Sequence, residues 1–226
     1  MKKRLISLLL AVAMMVAMVP TAAFAGDETG TASNKTLSIT ADGKPDVTNI
    51  EPNPPNPHDA GKKVYTGDGW KYEIHPNQDY LILDNGYLFD LTNESAVKCY
   101  RVENYGEIQG GVFDLCNWED RLTGVHPGYV ENFGTISGGI FLSDVRAITK
   151  IGNKTYSPKI TGGIFANDPR TENFRPGKNV YTLAVTDGLK IVTIQHDRQS
   201  VAVSLDKIFV LADTVTESKP LTLTLS

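Results

Sequence analysis

The chain has 226 residues, with 22 Lys+Arg against 26 Asp+Glu and a net charge of −4 at pH 7. A mildly acidic surface argues against a nucleic-acid partner, because phosphate backbones are held by a surplus of Lys and Arg. The length suits one domain of moderate size, or one with a small appendage.

In chain order, Met1-Lys-Lys-Arg4, an apolar run from Leu5 to Val19, Pro20 and Ala23-Phe24-Ala25 have the layout of a secretory signal peptide, with cleavage expected after Ala25. The apolar run is shorter than the ~20 residues a bilayer span needs. Loss of residues 1–25 leaves 201 residues with a net charge of −7, and no membrane span is expected in them. Residues 26–62 read as a leader and linker. Gly26 to Asn34 has no apolar pattern, Lys35 to Thr40 alternates like a short strand, and Pro45, Pro52, Pro54, Pro55 and Pro57 favour extended backbone that cannot join a sheet interior.

Order is expected from Lys63. Val64-Tyr65, Trp70–Ile74 and Tyr80–Leu83 are strand-like runs separated by Gly67-Asp-Gly69, His75-Pro-Asn77 and Asp84-Asn-Gly86, which are turn signals. Residues 63–178 form the expected repeat domain. After Gly177 the strands become longer, as in Val180–Val185, Leu189–Ile194, Ser200–Ser204, Lys207–Leu211 and Leu221–Leu225. Residues 179–226 are expected to cap or extend the same stack, a separate small sandwich being the weaker reading.

The phrase Val102-Glu-Asn-Tyr-Gly-Glu-Ile-Gln-Gly-Gly-Val-Phe113 returns twenty-eight residues later as Val130-Glu-Asn-Phe-Gly-Thr-Ile-Ser-Gly-Gly-Ile-Phe141, and in part as Ile160-Thr-Gly-Gly-Ile-Phe165. Leu88-Phe89-Asp90-Leu91 anticipates Val112-Phe113-Asp114-Leu115 by twenty-four residues. Periods of this length mark stacked supersecondary units. Asn104-x-Gly106 and Asn132-x-Gly134 read as corners through left-handed backbone. Ile108 and Phe113 are five apart, as are Ile136 and Phe141, so simple alternation would send them to opposite faces. A bend at Gly110-Gly111, Gly138-Gly139 and Gly162-Gly163 would return them to one interior. The expected fold is all-β, a short right-handed parallel β-helix of 24–28-residue coils closed or extended by C-terminal strands. Its expected ladders are Phe89, Phe113, Phe141 and Phe165, then Ile108 and Ile136, with Asn104 over Asn132 at a corner.

Asn132-Phe-Gly-Thr-Ile-Ser-Gly-Gly-Ile-Phe141 resembles the low-complexity repeats of large surface and adhesin-like proteins of Gram-positive gut bacteria. Those repeats are similar in turn to right-handed, pectate-lyase-like β-helices. The likeness covers about Tyr80 to Phe165 and implies a cell-surface β-helix, here with few coils; it says little about a ligand.

Candidate chemistry is sparse. Cys99 and Cys116 can pair in an oxidising exterior, which would contribute about 3 kcal/mol in the chain-entropy model, but seventeen residues is not the repeat period and two free thiols remain the alternative. Asp90 and Asp114 hold equivalent places after Phe89 and Phe113, while Asp144 and Asp168 lie three residues after Phe141 and Phe165. With Arg101, Arg121, Arg146 or Arg170 nearby they suggest a carboxylate row. An enzyme would rest on Asp90, Asp114, Arg101 and Arg121, but exposed acids mostly form a solvated edge with no catalytic task. Tyr65, Trp70, Tyr72, Tyr80 and Tyr87 form the densest aromatic region. Trp70, Tyr72 and Tyr65 could stack on sugar rings, although such residues more often cover the open end of a core.

His58, His75, His126 and His196 are scattered, so no metal or cofactor is expected. The reading that follows is a secreted, non-enzymatic β-helical surface module, structural or adhesive, meeting an extracellular glycan or a host-surface protein. The alternatives are a polysaccharide lyase or glycoside hydrolase on the same fold, and a carbohydrate-binding module.

Overall fold

The computed structural model of the chain describes residues 36–55, 61–91, 95–120, 123–170, 180–184, 191–211 and 213–225. Every regular element among them is a β-strand, and the strands stack into a β-solenoid of about three turns. The expected signal peptide, residues 1–25, lies outside the described residues, as do His58 and Arg121.

Within the expected leader and linker, Leu37 and Ile39 belong to the core, whereas residues 51–55 are exposed. Ile39 bridges Pro45 in a small antiparallel turn, and Leu37 and Ile39 are buried at one end of the solenoid. Lys44 pins the turn there. Its ammonium donates to Asp79 Oδ2 at 2.8 Å and to the Lys98 carbonyl at 2.7 Å. Asp79 also accepts from the Tyr72 hydroxyl at 2.6 Å and the Tyr100 amide at 2.7 Å, so its buried charge is fully engaged. Proline spacing alone did not show this, because the anchoring comes from Leu37 and Ile39, with Pro45 closing the turn on Ile39.

The antiparallel strands β1 (Lys63–Thr66) and β2 (Trp70–Ile74) lead into β3 (Asp79–Leu83), the first strand of the parallel stack, and β4 (Leu88–Phe89) follows. The next coil comprises β5 (Arg101–Asn104), β6 (Glu107–Ile108) and β7 (Val112–Phe113), and β8 (Trp118–Asp120) and β9 (Gly124–His126) form an inserted hairpin. A third coil follows in β10 (Tyr129–Asn132), β11 (Thr135–Ile136) and β12 (Ile140–Phe141). The last coil opens with β13 (Asp144–Ala147), carries the hairpin β14 (Lys150–Ile151) and β15 (Lys154–Thr155), and ends with β16 (Lys159–Ile160) and β17 (Ile164–Phe165). The remaining strands are β18 (Val180–Ala184), β19 (Val192–His196), β20 (Gln199–Val203), β21 (Lys207–Leu211) and β22 (Thr222–Leu225).

Stacking produces three sheets. Sheet A runs β1-β2-β3-β5-β10-β13, sheet B runs β4-β6-β11-β16, and sheet C runs β7-β12-β17-β21-β18. Coil length varies more than the sequence repeat suggests. Val102 pairs with Val130 twenty-eight residues on, but Val130 pairs with Val145 after only fifteen. The difference is where a hairpin is inserted: β8–β9 precedes β10, whereas β14–β15 enters after β13 at another corner. Hairpins lengthen a coil without disturbing the ladders.

The interior follows the repeat with one correction. Phe113, Phe141 and Phe165 are in register, with ring centroids 4.8 and 5.0 Å apart and nearly parallel planes. Ile108, Ile136 and Ile160 form the second ladder. Phe89, however, pairs with Ile108, and Val97 takes the place beside Phe113. The likeness of Leu88–Leu91 to Val112–Leu115 is therefore not a register. Phe89 still touches Phe113, at 5.3 Å between centroids, because sheets B and C face the same narrow interior. Each such fully buried side chain contributes roughly 1.5–3 kcal/mol relative to exposure.

Asn104 and Asn132 are fully buried and stacked, with Asn104 Nδ2 donating to Asn132 Oδ1 at 2.7 Å and to the Thr135 carbonyl at 2.9 Å. Neither asparagine has left-handed backbone. The corner instead needs glycine for space: a Cβ on Gly134 would lie 2.1 Å from the Gly106 carbonyl of the coil below. The Gly-Gly bends act as expected. Gly139 has φ 98°, while a Cβ on Gly138 would lie 2.0 Å from the Gln109 carbonyl.

The described residues of the segment 179–226 both extend the stack and add a layer. Strands β21 and β18 continue sheet C antiparallel to β17, whereas β20-β19-β22 form a separate sheet D. Sheet D covers the outer face of sheet C, where Val112, Ile140, Ile164, Ile208 and Val210 pack with Val192 and Ile194.

Cys99 and Cys116 are free. Val97 pairs with Phe113, so residues sixteen apart share a direction; at seventeen apart, Cys99 points into the core and Cys116 to solvent. Burial raises the Cys99 thiol above its ordinary pKa.

Candidate functional site

Alternation along the sheet A strands sends Leu81, Leu83, Val102, Asn104, Val130, Asn132 and Val145 inward. The residues between them must face out. Register then builds two outward rows, Tyr80-Arg101-Tyr129-Asp144 and Ile82-Glu103-Glu131-Arg146. Glu103 and Glu131 are the glutamates of the repeated Val-Glu-Asn phrase, so stacking necessarily places like charges side by side. Such a pair is destabilising unless a cation intervenes.

Arg101 is that cation. Its Nη2 lies 2.7 Å from Glu103 Oε1 and 2.6 Å from Glu131 Oε2, which limits the two carboxylate oxygens to a separation of 5.3 Å. Burial acts against the Arg101 charge, but the two carboxylates outweigh it and raise its pKa. At Glu131, burial raises the carboxyl pKa and Glu103 adds to the effect, while Arg101 offsets them in part; the net shift is upward. The Tyr105 hydroxyl donates to Glu103 Oε2 at 3.2 Å, and Tyr105 is also raised, first by burial.

Aromatic rings surround the ion triplet. His75 meets Tyr80 at 5.0 Å, Tyr80 meets Tyr100 at 6.1 Å, and Tyr100 meets both Trp118 and Tyr129 at 6.1 Å, all edge to face. The β8–β9 hairpin contributes Trp118 stacked on His126 at 4.9 Å. Arg101 lies 5.6 Å from the centroids of Tyr80 and Tyr129, and Arg146 covers the Tyr129 ring at 3.7 Å. Tyr80, Tyr100, Trp118 and Tyr129 are half-buried, each with surface left to solvent.

Four buried side-chain polar atoms among the described residues lack a hydrogen-bond partner, and three of them are here: Arg101 Nε, Trp118 Nε1 and Glu131 Oε2. Glu131 Oε2 has its ion pair with Arg101 but no well-aligned hydrogen bond. Native structures satisfy nearly all such atoms, so a concentration of exceptions singles out this face.

The sequence candidates fare unevenly. Arg101 is central, and Arg146 and Asp144 lie in the same rows. Asp144 accepts from Asn167 Nδ2 at 2.8 Å. Asp90 and Asp114 do not form a row: Asp90 follows a sheet B strand, Asp114 a sheet C strand, and both are exposed. Their apparent equivalence came from the false register of Phe89 with Phe113. Asp168 is engaged locally by Arg170. Trp70 and Tyr72 are buried in the core and Tyr65 is half-buried against it, so they close the end of the solenoid and do not present a sugar-binding row.

Glu103, Glu131, Tyr100, Trp118 and Tyr129 were not singled out from the sequence. The available signal was the strict alternation of the repeated Val-Glu-Asn phrase, which assigns the glutamates outward once Val and Asn are inward. Among the described residues no three His, Cys, Asp or Glu side chains are grouped to hold a metal ion. Comparison of the chain with protein-family models, with curated proteins and with solved structures finds no match, so the functional reading rests on the geometry of this surface.

Proposed function

We propose that the chain is a non-enzymatic extracellular module, structural or adhesive, that holds a neutral glycan against the outer face of sheet A. The observation that carries this reading is the group of half-buried rings Tyr80, Tyr100, Trp118 and Tyr129 around Arg101, with unpartnered polar atoms among them. Rings supply flat apolar surface for the faces of sugars, and the arginine and carboxylate edges supply donors and acceptors for hydroxyls. Charge selects the class. Two guanidinium groups meet two carboxylates in the rows, with Asp144 at the rim, so no positive excess favours an acidic polysaccharide. Export is supported by the N-terminal sequence pattern.

Glycan-array capture followed by titration calorimetry tests the reading. Tyr100→Ala and Trp118→Ala should each weaken binding at least tenfold with an unchanged coil melting profile. Failure to capture any neutral glycan, or capture indifferent to both substitutions, would overturn it.

A glycoside hydrolase is favoured by one specific observation. Glu131 has a raised pKa and shares the Arg101 guanidinium with a second carboxylate, Glu103, giving the paired acids that glycosidases use. Against it, Arg101 fills the space between the carboxylates that a scissile bond would need. Product release from a polysaccharide panel that disappears in Glu131→Gln would establish the enzymatic reading.

A further inference from the structure

The Gly-Gly bends stack Gly111, Gly139 and Gly163 into a column at the corner between sheets B and C, all with left-handed backbone, φ 104°, 98° and 123°. Side chains from the C-terminal region take the outer two. The Gln199 carboxamide, oriented by its partners, accepts from the Gly111 amide at 3.0 Å and donates to the Gly111 carbonyl at 3.1 Å. The Thr214 hydroxyl accepts from the Gly163 amide at 2.7 Å. Gln199 and Thr214 are both more than nine-tenths buried. Gly139, on the rung between them, receives no equivalent side chain among the described residues; it lines a cavity of about 340 Å³.

That cavity lies between the solenoid corner and the C-terminal region. Gln109 and Ser137 contribute from the solenoid; Asp197, Asp213, Thr216, Ser218 and Lys219 contribute from the other side. A second hollow of about 380 Å³ adjoins it, sharing His196, Asp197, Gln199, Ser218 and Lys219. The shared wall is a built structure. His196 is buried with Nε2 2.9 Å from the Thr214 carbonyl, and Lys219 donates to Asp197 Oδ2 at 2.5 Å. The two-residue β19–β20 turn holds Asp197 and Arg198 at φ 44° and 67°, the left-handed pair that so tight a hairpin requires.

The lining restricts what fits. Two carboxylates disfavour an anion, the absence of a three-ligand cluster among the described residues disfavours a metal ion, and hydroxyl, amide and ammonium groups disfavour an apolar guest. The volume is at the small end of ligand cavities, about 300–1,000 Å³. Donors and acceptors on opposite walls suit a compact neutral molecule rich in hydroxyls.

We propose that this cavity is a second binding site, which takes a single neutral sugar residue with one hydroxyl oxygen at the empty middle rung of the glycine column. The site is independent of the sheet A face. Lys219 donates to the sugar from the opposite wall, and Asp197 and Asp213 accept from it.

Saturation-transfer NMR on the full chain with neutral hexoses at about 10 mM, tenfold above a Kd of about 1 mM, provides the test. With the sheet A face disabled by Tyr100→Ala, at least one hexose should still show transfer, and adding Ser218→Trp, which obstructs the exposed mouth, should abolish it. Lys219→Met, which keeps the stem and removes the donors, should weaken binding at least fivefold with the fold intact by circular dichroism. Transfer lost in Tyr100→Ala but retained in Ser218→Trp would place the sugar on sheet A and overturn the proposal. Absence of transfer from every hexose would overturn it equally, leaving the cavity to water.

Discussion

The coils give sheets B and C the same kind of two-residue strand, yet their outer faces have opposite fates. On sheet B the outward residues are Leu88, Glu107, Thr135 and Lys159, and each sits exposed or partly exposed. On sheet C they are Val112, Ile140 and Ile164, all buried under sheet D. In three of the four sheet B rungs a polar-then-apolar doublet makes a solvent face, Leu88 being left exposed at the end of the sheet, while the apolar-apolar doublets of sheet C lie under a second layer. Sheet A shows a third solution, in which ions and rings cover an outer face without a covering sheet.

The comparison can be broken first at the interior that both sheets share. Phe141→Ala removes the centre of the ring ladder and should cost about 3–5 kcal/mol, seen as a lower midpoint in urea unfolding. Next comes the covered outer face. Ile140→Ala should cost about 2–4 kcal/mol and, unlike Phe141→Ala, should raise hydrogen exchange in β19 and β20 more than in β5 and β6. At the corner between sheets A and B, Asn132→Ala leaves Asn104 Nδ2 with only the Thr135 carbonyl and should cost about 1–3 kcal/mol by the same unfolding measurement.

The charged outer face of sheet A sharpens the contrast through pH. Burial acts to raise the Glu73 pKa, but Lys62 at 2.8 Å and Lys71 at 3.0 Å more than compensate and hold it at about 2. A carboxylate depressed on folding stabilises the protein above its ordinary pKa, and that contribution fades as pH falls from about 4.5 through about 2. Glu73→Gln should therefore flatten the acid limb of the melting temperature and leave the basic limb unchanged. The smallest effect belongs to the open face of sheet B. Thr135→Ala should change stability by no more than about 0.5 kcal/mol, so a cost equal to that of Ile140→Ala would remove the distinction between the faces.

Much of the architecture is legible in the repeat because a solenoid is quasi-one-dimensional: a residue and its copy one coil later meet across a single strand spacing. Phe113, Phe141 and Phe165, Ile108 and Ile136, and Asn104 with Asn132 could thus be paired by spacing alone. Phe89 could not, since the first coil has its own corner length and a four-residue likeness carries too little information to set a register. The coil lengths were hidden for a related reason. Inserted hairpins at two different corners add to the sequence period but not to the stack.

The candidate site was half legible. Repetition of Val-Glu-Asn fixes two stacked carboxylates on an outer face, and the need for a cation between them is simple electrostatics. That Arg101 fills this role, and that Tyr80, Tyr100 and the β8–β9 hairpin surround it, depends on how three coils align laterally. The cysteines show the same division: their spacing was known, but only the offset of Val97 from Phe113 sends one thiol inward and the other out.

The sequence by itself determined a β-solenoid with its interior ladders, since identical side chains recurring at coil spacing must stack when the chain winds. Tertiary structure alone decided which outer face is covered, where the aromatic and arginine groups converge, and that the C-terminal segment lines a polar cavity. Those outcomes come from contacts between segments with no shared period, and nothing local in either segment encodes the meeting.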